Sequence, residues 1–167
     1  MINKVKITKP GFTLTETLIV ISIFGVVAAA SFVMFTGARS QAVLDDAQAS
    51  VVNALERARS RAATGVRTTG STGLDHGIYI NFGGNNETRE IYSFEGDSWA
   101  GRVSEQDVIL PPDTVIVKQN PTGPDEVEIN FNRLSATSST STTILLQHII
   151  SGITTTVGIT EEGIIEK

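Results

Sequence analysis

The chain has 167 residues, of which 40% are hydrophobic and 19% are charged, and its formal net charge at pH 7 is −5. This length allows one globular domain with an appendage, but not two ordinary domains. The mildly acidic charge gives no reason to expect nucleic acid as the main partner. The absence of cysteine excludes disulfides and thiolate catalysis.

A membrane-spanning helix is the first predicted element. Residues 17–38 contain no Asp, Glu, Lys or Arg, and a helix of this length is about 33 Å long, enough to cross a bilayer core of about 30 Å. A buried core helix, the alternative, would need a much larger protein around it, because this stretch is apolar on every face. Lys4, Lys6 and Lys9 precede it with no acidic residue among them. The positive-inside rule therefore predicts a cytoplasmic N-terminus and an extracytoplasmic C-terminal domain.

A single carboxylate, Glu16, stands at the entrance to this apolar stretch. A charge at the centre of a bilayer costs about 3 kcal/mol, so its presence predicts a cationic partner. A secretory signal peptide is the competing interpretation, because residues 26–31 (VVAAAS) loosely imitate a small-residue cleavage site. Cleavage there would leave Glu16 unexplained, and a retained span is therefore favoured.

The stretch KPGFTLTETLIVISIFG (residues 9–25) resembles the class III leader of type IV pilins and pseudopilins. Such leaders are short and basic and end in a glycine, which is followed by phenylalanine and by a glutamate at the fifth mature position. The resemblance implies that a prepilin peptidase/N-methyltransferase cuts between Gly11 and Phe12, removes the leader that ends in Lys9 and Pro10, and methylates the new N-terminus. A glycine suits this position, because an extended scissile bond enters a protease cleft more easily without a side chain.

Cleavage would also supply a partner for Glu16, because it creates a positive α-amine on Phe12. Within one helix the two groups lie about one turn apart, and in a stack of helices the carboxylate reaches the amine of a neighbouring subunit. Either pairing offsets the free-energy cost of removing the Glu16 carboxylate from water, but only the pairing between subunits sets their axial register. The resemblance favours the second. A glutamate that snorkels to the headgroup level is the structural alternative.

An amphipathic helix follows the span at residues 38–64. Its apolar positions recur every three or four residues and predict one buried stripe of Leu44, Ala47, Val51, Leu55, Ala58 and Ala62. A continuous helix from about Phe12 to Thr64 is expected to end at Gly65 and Gly70. The arginines at 57, 59 and 61 are expected to point to different, solvated faces rather than to form a basic stripe for phosphate.

From Val66 onward the apolar period changes to two, which predicts β structure. The expected hairpins pair residues 76–82 with 89–95, 114–118 with 126–132, and 142–149 with 153–159, and a short strand follows Gly163. Two small antiparallel sheets packed on the second half of the helix are the predicted architecture. The fold class is therefore α+β, and the resemblance to type IV pilins implies that it is pilin-like.

The order of these features resembles the GspH/FimT group, which comprises minor pseudopilins of type II secretion and related minor pilins. The resemblance rests on NALERARSRAAT (residues 53–64), a hairpin, DSWAG (97–101), ILPPDTVIV (109–117) and GITEEGIIE (158–166). It implies four regions, namely a removed leader (1–11), a transmembrane and filament-core helix (12–38), its amphipathic continuation (39–65) and an extracytoplasmic β domain (66–167).

No catalytic, cofactor or metal site is expected. Asp75 and His76 are adjacent and would point to opposite faces of a strand, and the two histidines, His76 and His148, lack a zinc-ligand spacing. The GGNN turn at 83–86 is expected to require positive φ and does not have the spacing of an EF-hand calcium loop.

A structural subunit of a type II secretion pseudopilus or type IV pilus is the function that the resemblance implies. Its expected partners are the prepilin peptidase/N-methyltransferase, other pilins or pseudopilins in a helical filament, an assembly platform protein, and membrane lipid before assembly. A DNA-binding minor pilin of an uptake pilus and a plain single-pass membrane protein with an extracytoplasmic binding domain are the alternatives.

Overall fold

A computed structural model describes residues 12–65 and 75–167 of the chain. The predicted leader, including Lys9, Pro10 and Gly11, and the predicted stop at Gly70 lie outside the described residues. The chain divides into two units, with the boundary between Ala38 and Arg39. One helix, α1 (Leu14–Thr64), contributes residues to both units.

The start of α1 differs slightly from the prediction. The helix begins at Leu14 instead of Phe12, because Thr13 caps it with its side chain.

The predicted end of α1 at Gly65 is confirmed. Gly65 follows the last helical residue with φ of 61°, a left-handed conformation that glycine adopts without steric cost. The carbonyl oxygen of Ala62 accepts hydrogen bonds from the backbone N–H of Gly65 at 3.3 Å and of Leu134 at 2.9 Å.

The first unit contains the uncharged part of α1, and its described side chains are exposed. An 18-residue stretch of this helix is apolar enough to cross a membrane, and none of that stretch is buried. The hydroxyl groups of Ser22 and Ser31 donate to the carbonyl oxygens of Leu18 and Val27, one turn earlier, at 2.7 and 2.8 Å. These hydroxyls therefore do not depend on water, as a helix in hydrocarbon requires.

The second unit combines the rest of α1 with nine short strands in the described residues. They are β1 (His76–Asn81), β2 (Glu87–Thr88), β3 (Glu90–Glu95), β4 (Ser104–Asp107), β5 (Thr114–Val117), β6 (Glu126–Phe131), β7 (Thr142–His148), β8 (Thr154–Ile159) and β9 (Ile165–Glu166). One sheet has the order β4-β3-β1-β6 and the other the order β2-β5-β7-β8-β9. All strand pairs are antiparallel.

Two of the three predicted hairpins are confirmed. Strand β1 pairs with β3, with Tyr79 opposite Tyr92, and β7 pairs with β8, with Ile144 opposite Val157. Gly83 and Gly84 in the first connection have φ of 57° and 83°, as expected for that turn. The short terminal strand is confirmed as β9, which pairs with β8.

The predicted hairpin of residues 114–118 with 126–132 is wrong. Strand β6 pairs with β1 in the first sheet, whereas β5 pairs with β2 and β7 in the second. The connection between them is closed by its own polar contacts. The ammonium of Lys118 contacts the carboxylate of Asp125 at 2.8 Å, and the N–H of Gly123 donates to the carbonyl of Asn120 at 2.8 Å. The Pro/Gly turn therefore carries the chain from one sheet to the other.

The core of this unit lies between the helix and both sheets. The predicted helical stripe is confirmed, because all six of its residues have no more than 4% of their surface exposed. Val52 and Ala54 are also buried, which widens the stripe beyond the prediction. These residues belong to one hydrophobic cluster with strand residues from both sheets, among them Ile78, Phe131, Leu146 and Val157. The α+β, two-sheet, pilin-like fold class is thus confirmed.

Candidate processing and assembly site

Thr13 organises the N-terminal end of α1. Its hydroxyl oxygen accepts a hydrogen bond from the backbone N–H of Glu16 at 3.3 Å, and its carbonyl oxygen accepts one from the N–H of Thr17 at 3.2 Å. The side chain thereby satisfies one of the donors that the first turn of a helix leaves without an intrahelical acceptor. Thr13 and Glu16 have the spacing of a capping box, in which Ser or Thr at the cap is followed three residues later by Glu or Gln.

Glu16 is exposed in the first turn of α1. A negative charge there is favourable, because the N-terminus of a helix carries a partial positive charge. Within residues 12–65 and 75–167, the carboxylate of Glu16 has no cation within salt-bridge distance. The helix therefore orients this carboxylate and leaves it accessible to a charge from outside the described residues.

Phe12 is 80% exposed and precedes the helix in a non-helical conformation. The chain at Phe12 and Thr13 therefore does not continue the helix toward the predicted cleavage point. Gly11 lies outside the described residues, so the structure does not describe the predicted scissile bond itself. What the structure describes is the mature side of that bond, an exposed aromatic residue followed by a capped helix.

The residues that could have formed a different site have structural roles. A carboxylate oxygen of Asp75 accepts the backbone N–H of Arg133 at 2.8 Å. His76 and Glu95 are buried, with 2% of their surface exposed, and a carboxylate oxygen of Glu95 accepts from the hydroxyl of Ser104 at 3.4 Å. In residues 12–65 and 75–167, no three His, Asp or Glu side chains are grouped to hold a metal ion.

The arginines of the helix do not all point to different faces, which corrects the prediction. Arg57 and Arg61 line the same groove of about 550 Å³ between α1 and the edge strand β4, whereas Arg59 lines a separate depression near Ile164. Glu95, Glu105 and Asp107 also line this groove, and the carboxylate of Glu105 pairs with Arg102. The groove is thus of mixed charge and not a basic stripe.

An aromatic cluster around Trp99 was not anticipated from the sequence. The Trp99 ring stacks on Tyr79 with centroids 4.1 Å apart and an interplanar angle of 5°, and the guanidinium of Arg102 lies 3.9 Å from the Trp99 ring centroid. Tyr92 and Phe94 contact the same indole at 5.3 and 5.7 Å between centroids. This cluster attaches the connection between β3 and β4 to the sheet that contains β1 and β3.

A capped, exposed, apolar N-terminal helix and a two-sheet β domain give the chain a pilin-like architecture that fits membrane anchoring. The family model of the prokaryotic N-terminal methylation motif matches residues 8–32 of the chain. The chain therefore carries the class III leader motif of type IV pilins, as its sequence predicts. A leader of this type implies processing by a prepilin peptidase and assembly with other pilins.

The match covers the end of the leader and the first part of the apolar segment. No curated protein and no solved structure gives a match to the chain. The β domain therefore carries no assignment to a subgroup from these comparisons.

Proposed function

We propose that this chain is a structural subunit of a type II secretion pseudopilus or a type IV pilus, and specifically a minor subunit of the GspH/FimT kind. One observation carries the proposal: a prepilin-type leader is followed directly by the apolar stretch of α1, whose side chains before Arg39 are all exposed where they are described. Such a surface needs lipid before assembly and other helices after it. The subunit acts by assembling and not by catalysis.

Processing comes first in the proposed mechanism. The precursor sits in the inner membrane with its N-terminus in the cytoplasm and its β domain outside. A prepilin peptidase/N-methyltransferase cuts after Gly11 and methylates Phe12. Lys9 and Pro10 leave with the leader, and the new amine of Phe12 remains beside the capped first turn of α1. An assembly platform protein then receives the mature subunit.

Glu16 makes assembly selective. The cap at Thr13 accepts the backbone N–H of Glu16, and the exposed carboxylate of Glu16 pairs with the Phe12 amine of a neighbouring subunit. A buried carboxylate without this partner costs several kcal/mol, because desolvation is not offset by a charge pair. A subunit out of register leaves Glu16 unpaired and is therefore rejected.

The decisive experiment compares Glu16→Ala with Glu56→Ala. Glu56 is an exposed carboxylate on the same helix with no proposed role, so it controls for the loss of one charge. Glu16→Ala should be cleaved normally and enter sheared filaments at least about tenfold less than wild type, because the pairing is worth more than about 1.4 kcal/mol. Wild-type assembly of Glu16→Ala would overturn the pairing.

Mass spectrometry of the native N-terminus tests the processing step. The proposed subunit begins with methylated Phe12, whereas a plain single-pass membrane protein retains Met1 and needs no carboxylate at position 16. A retained leader on filament-associated protein would exclude the proposed function altogether.

The DNA-uptake alternative receives no support from the groove that contains Arg57 and Arg61. Three acidic residues line the same groove, so it is of mixed charge, whereas the phosphate contacts that supply most of the affinity in DNA binding need a basic surface. We expect the full chain in detergent to show no salt-dependent retention on duplex DNA. Retention that falls steeply with salt and depends on Arg57 and Arg61 would favour the alternative.

A further inference from the structure

Strand β4 lies at an open edge of the first sheet. Within residues 12–65 and 75–167 its only neighbouring strand is β3, and an edge of this kind leaves backbone N–H and C=O groups without a partner in the sheet. We propose that an extended segment of a partner protein, in which acidic and basic side chains alternate, pairs antiparallel with β4 in the groove beside α1. The inference goes beyond the proposed function, because it concerns the β unit alone and needs neither the leader nor the apolar stretch.

Hydrogen bonds to β3 define which backbone groups of β4 face outward. The N–H of Val108 donates to the carbonyl oxygen of Ile91 at 2.9 Å. Alternate residues of an antiparallel strand exchange hydrogen bonds with the same neighbour, so Gln106 also bonds to β3. The N–H and C=O groups of Glu105 and Asp107 therefore point away from β3. They are directed to the place where a further strand would lie, about 4.8 Å from β4.

The groove of about 550 Å³ follows this edge. It is lined by every residue from 104 to 109, although successive side chains of a strand point to opposite faces of a sheet. A groove that touches all of these residues must run along the backbone edge and not along one face. Asn53 and Arg57 of α1 also line it. A strand paired with β4 would therefore turn one of its faces toward the helix.

Charges on the helix favour an acidic side chain on that face of the partner segment. Arg57 and Arg61 lie one helical turn apart and both line the groove. In the described part of the chain, neither guanidinium has a carboxylate within salt-bridge distance. A carboxylate directed toward α1 would form charge-assisted hydrogen bonds with these groups, which are stronger than bonds between neutral partners.

Charges on β4 favour a basic side chain at the positions between. Asp107 is exposed and points to the face of the sheet away from α1, as its opposite residue Tyr92 does. Glu105 already pairs with Arg102, whereas Asp107 has no cation within salt-bridge distance among the described residues. Cross-strand neighbours of opposite charge stabilise a sheet. A lysine or arginine opposite Asp107 therefore completes the alternating pattern.

The same charges disfavour a second copy of β4 as the occupant. In a symmetric antiparallel pair, the outward-facing residue Glu105 of one copy would lie opposite Asp107 of the other. Like charges directly opposite each other destabilise a sheet. The acidic edge thus rejects its own sequence and accepts a segment that carries basic residues.

Fluorescence anisotropy of a labelled synthetic peptide tests the proposal on the full chain in detergent. The probe is a short peptide in which lysine and glutamate alternate, and the control has the same composition with the two residue types in separate blocks. We expect the alternating peptide to bind at least about tenfold more tightly, because only alternation gives each face of a strand a single charge. If the alternating peptide does not bind, the charges of β4 only protect its edge, and the inference is overturned.

N-methylation of the peptide separates backbone pairing from charge attraction. Residues directly opposite each other in an antiparallel pair share a face, so the lysines lie opposite Glu105 and Asp107 and direct their N–H groups to β4. Methylation of the lysine backbone nitrogens should abolish binding, whereas methylation of the glutamate backbone nitrogens should change it by less than about threefold. Binding that survives both modifications, or the reverse order of effects, would contradict antiparallel pairing.

Matched arginine variants test the face toward α1. Arg57→Ala should weaken binding of the alternating peptide at least about fivefold. Arg59→Ala removes the same charge from a side chain that lines a separate depression, and it should weaken binding less than about twofold. Denaturation followed by Trp99 verifies that both variants are folded. Equal losses would mean that net charge alone attracts the peptide, and would overturn the inference.

Two substitutions at Asp107 test the edge itself. Both Asp107→Ala and Asp107→Pro remove the carboxylate, but only proline removes the outward N–H, which β3 does not use. Asp107→Pro should therefore bind the alternating peptide at least about fivefold more weakly than Asp107→Ala. Equal affinities would exclude pairing through this edge. If the full chain dimerises and Asp107→Pro abolishes the dimer, the occupant is a second copy and the assignment to a partner segment is wrong.

Discussion

Gly163 occupies a turn in which its backbone adopts φ of 77°. A Cβ atom at this position would lie 2.2 Å from the carbonyl oxygen of Ala136, closer than two atoms can approach without a backbone shift. We expect Gly163→Ala to lower the free energy of unfolding by about 2–4 kcal/mol, because strain and steric overlap act together. Denaturant titration followed by Trp99, the single tryptophan of the chain, measures the change.

Gly25 provides the contrast. A Cβ atom built on Gly25 meets nothing within 4 Å, and alanine favours a helix by about 1 kcal/mol over glycine. Gly25→Ala should therefore leave the denaturation midpoint of the β domain unchanged. If both glycine variants shift that midpoint equally, the contact with Ala136 is not the cause of the effect at 163.

Tyr79 makes stability depend on pH in the alkaline range. Burial in the aromatic cluster, with a hydrogen bond to Glu126, raises the pKa of Tyr79 to about 12 from its usual 10.0. The folded state therefore keeps this proton at a pH at which the unfolded state has lost it. The resulting stabilisation is fully present below pH 10.0 and is lost as the pH rises toward 12.

Tyrosinate absorbance checks this prediction, because the chain has only two tyrosines. Burial also raises the pKa of Tyr92, so both phenols should ionise later than free tyrosine. Tyr79→Phe should remove the more alkaline of the two transitions and flatten the loss of stability between pH 10 and 12. Ionisation of both groups at the usual value would contradict the packing around Trp99.

At the scale of elements, α1 contributes to the core through one stripe. Leu55 is fully buried in that stripe, with 0% of its surface exposed. Leu55→Ala should cost about 2–5 kcal/mol of unfolding free energy, from lost apolar burial and the cavity that remains. Its neighbour Glu56 is exposed, and Glu56→Ala should change stability by less than about 0.5 kcal/mol. Denaturant titration of both variants in detergent provides the comparison.

Sequence periodicity identified the elements in which apolar residues recur at a regular spacing and missed the elements without such a spacing. The helical stripe and the pairs β1–β3 and β7–β8 follow directly from apolar spacing. Strand β4 has the sequence SEQD and is mostly exposed, so no apolar signal marks it. Strand β2 has two residues, and only its partner β5 defines it. The pairing of β5 with β6 was predicted wrongly because both flank a Pro/Gly turn, whereas sheet membership depends on contacts distant in the sequence.

The processing and assembly site was predictable from the sequence only in part. The leader and the positions of Gly11, Phe12 and Glu16 follow from a short local motif, and the family match covers the same region. The role of Thr13 as the cap of the helix escaped notice, although the spacing Thr-x-x-Glu is a recognised signal for it. The shared groove of Arg57 and Arg61 depends on the placement of β4, which no local pattern reveals.

At the scale of the whole molecule, the two units differ in burial. Every described residue of the hydrophobic cluster lies at or beyond Leu44, so the apolar stretch before Arg39 contributes nothing to that cluster. The β unit can thus keep its core when the surroundings of the apolar stretch change from lipid to neighbouring helices, as the proposed function requires. Substitutions in residues 14–35 should consequently alter filament yield without shifting the denaturation midpoint reported by Trp99.

The two-residue strand β2 carries a mechanical consequence. It lies in the connection between β1 and β3 of one sheet, yet it pairs with β5 of the other. A force that separates the two sheets must break the pairing between β2 and β5 before either sheet comes apart. Heating should therefore produce one calorimetric peak for the β unit, and Thr88→Pro, which cannot donate a backbone hydrogen bond, should split or broaden it.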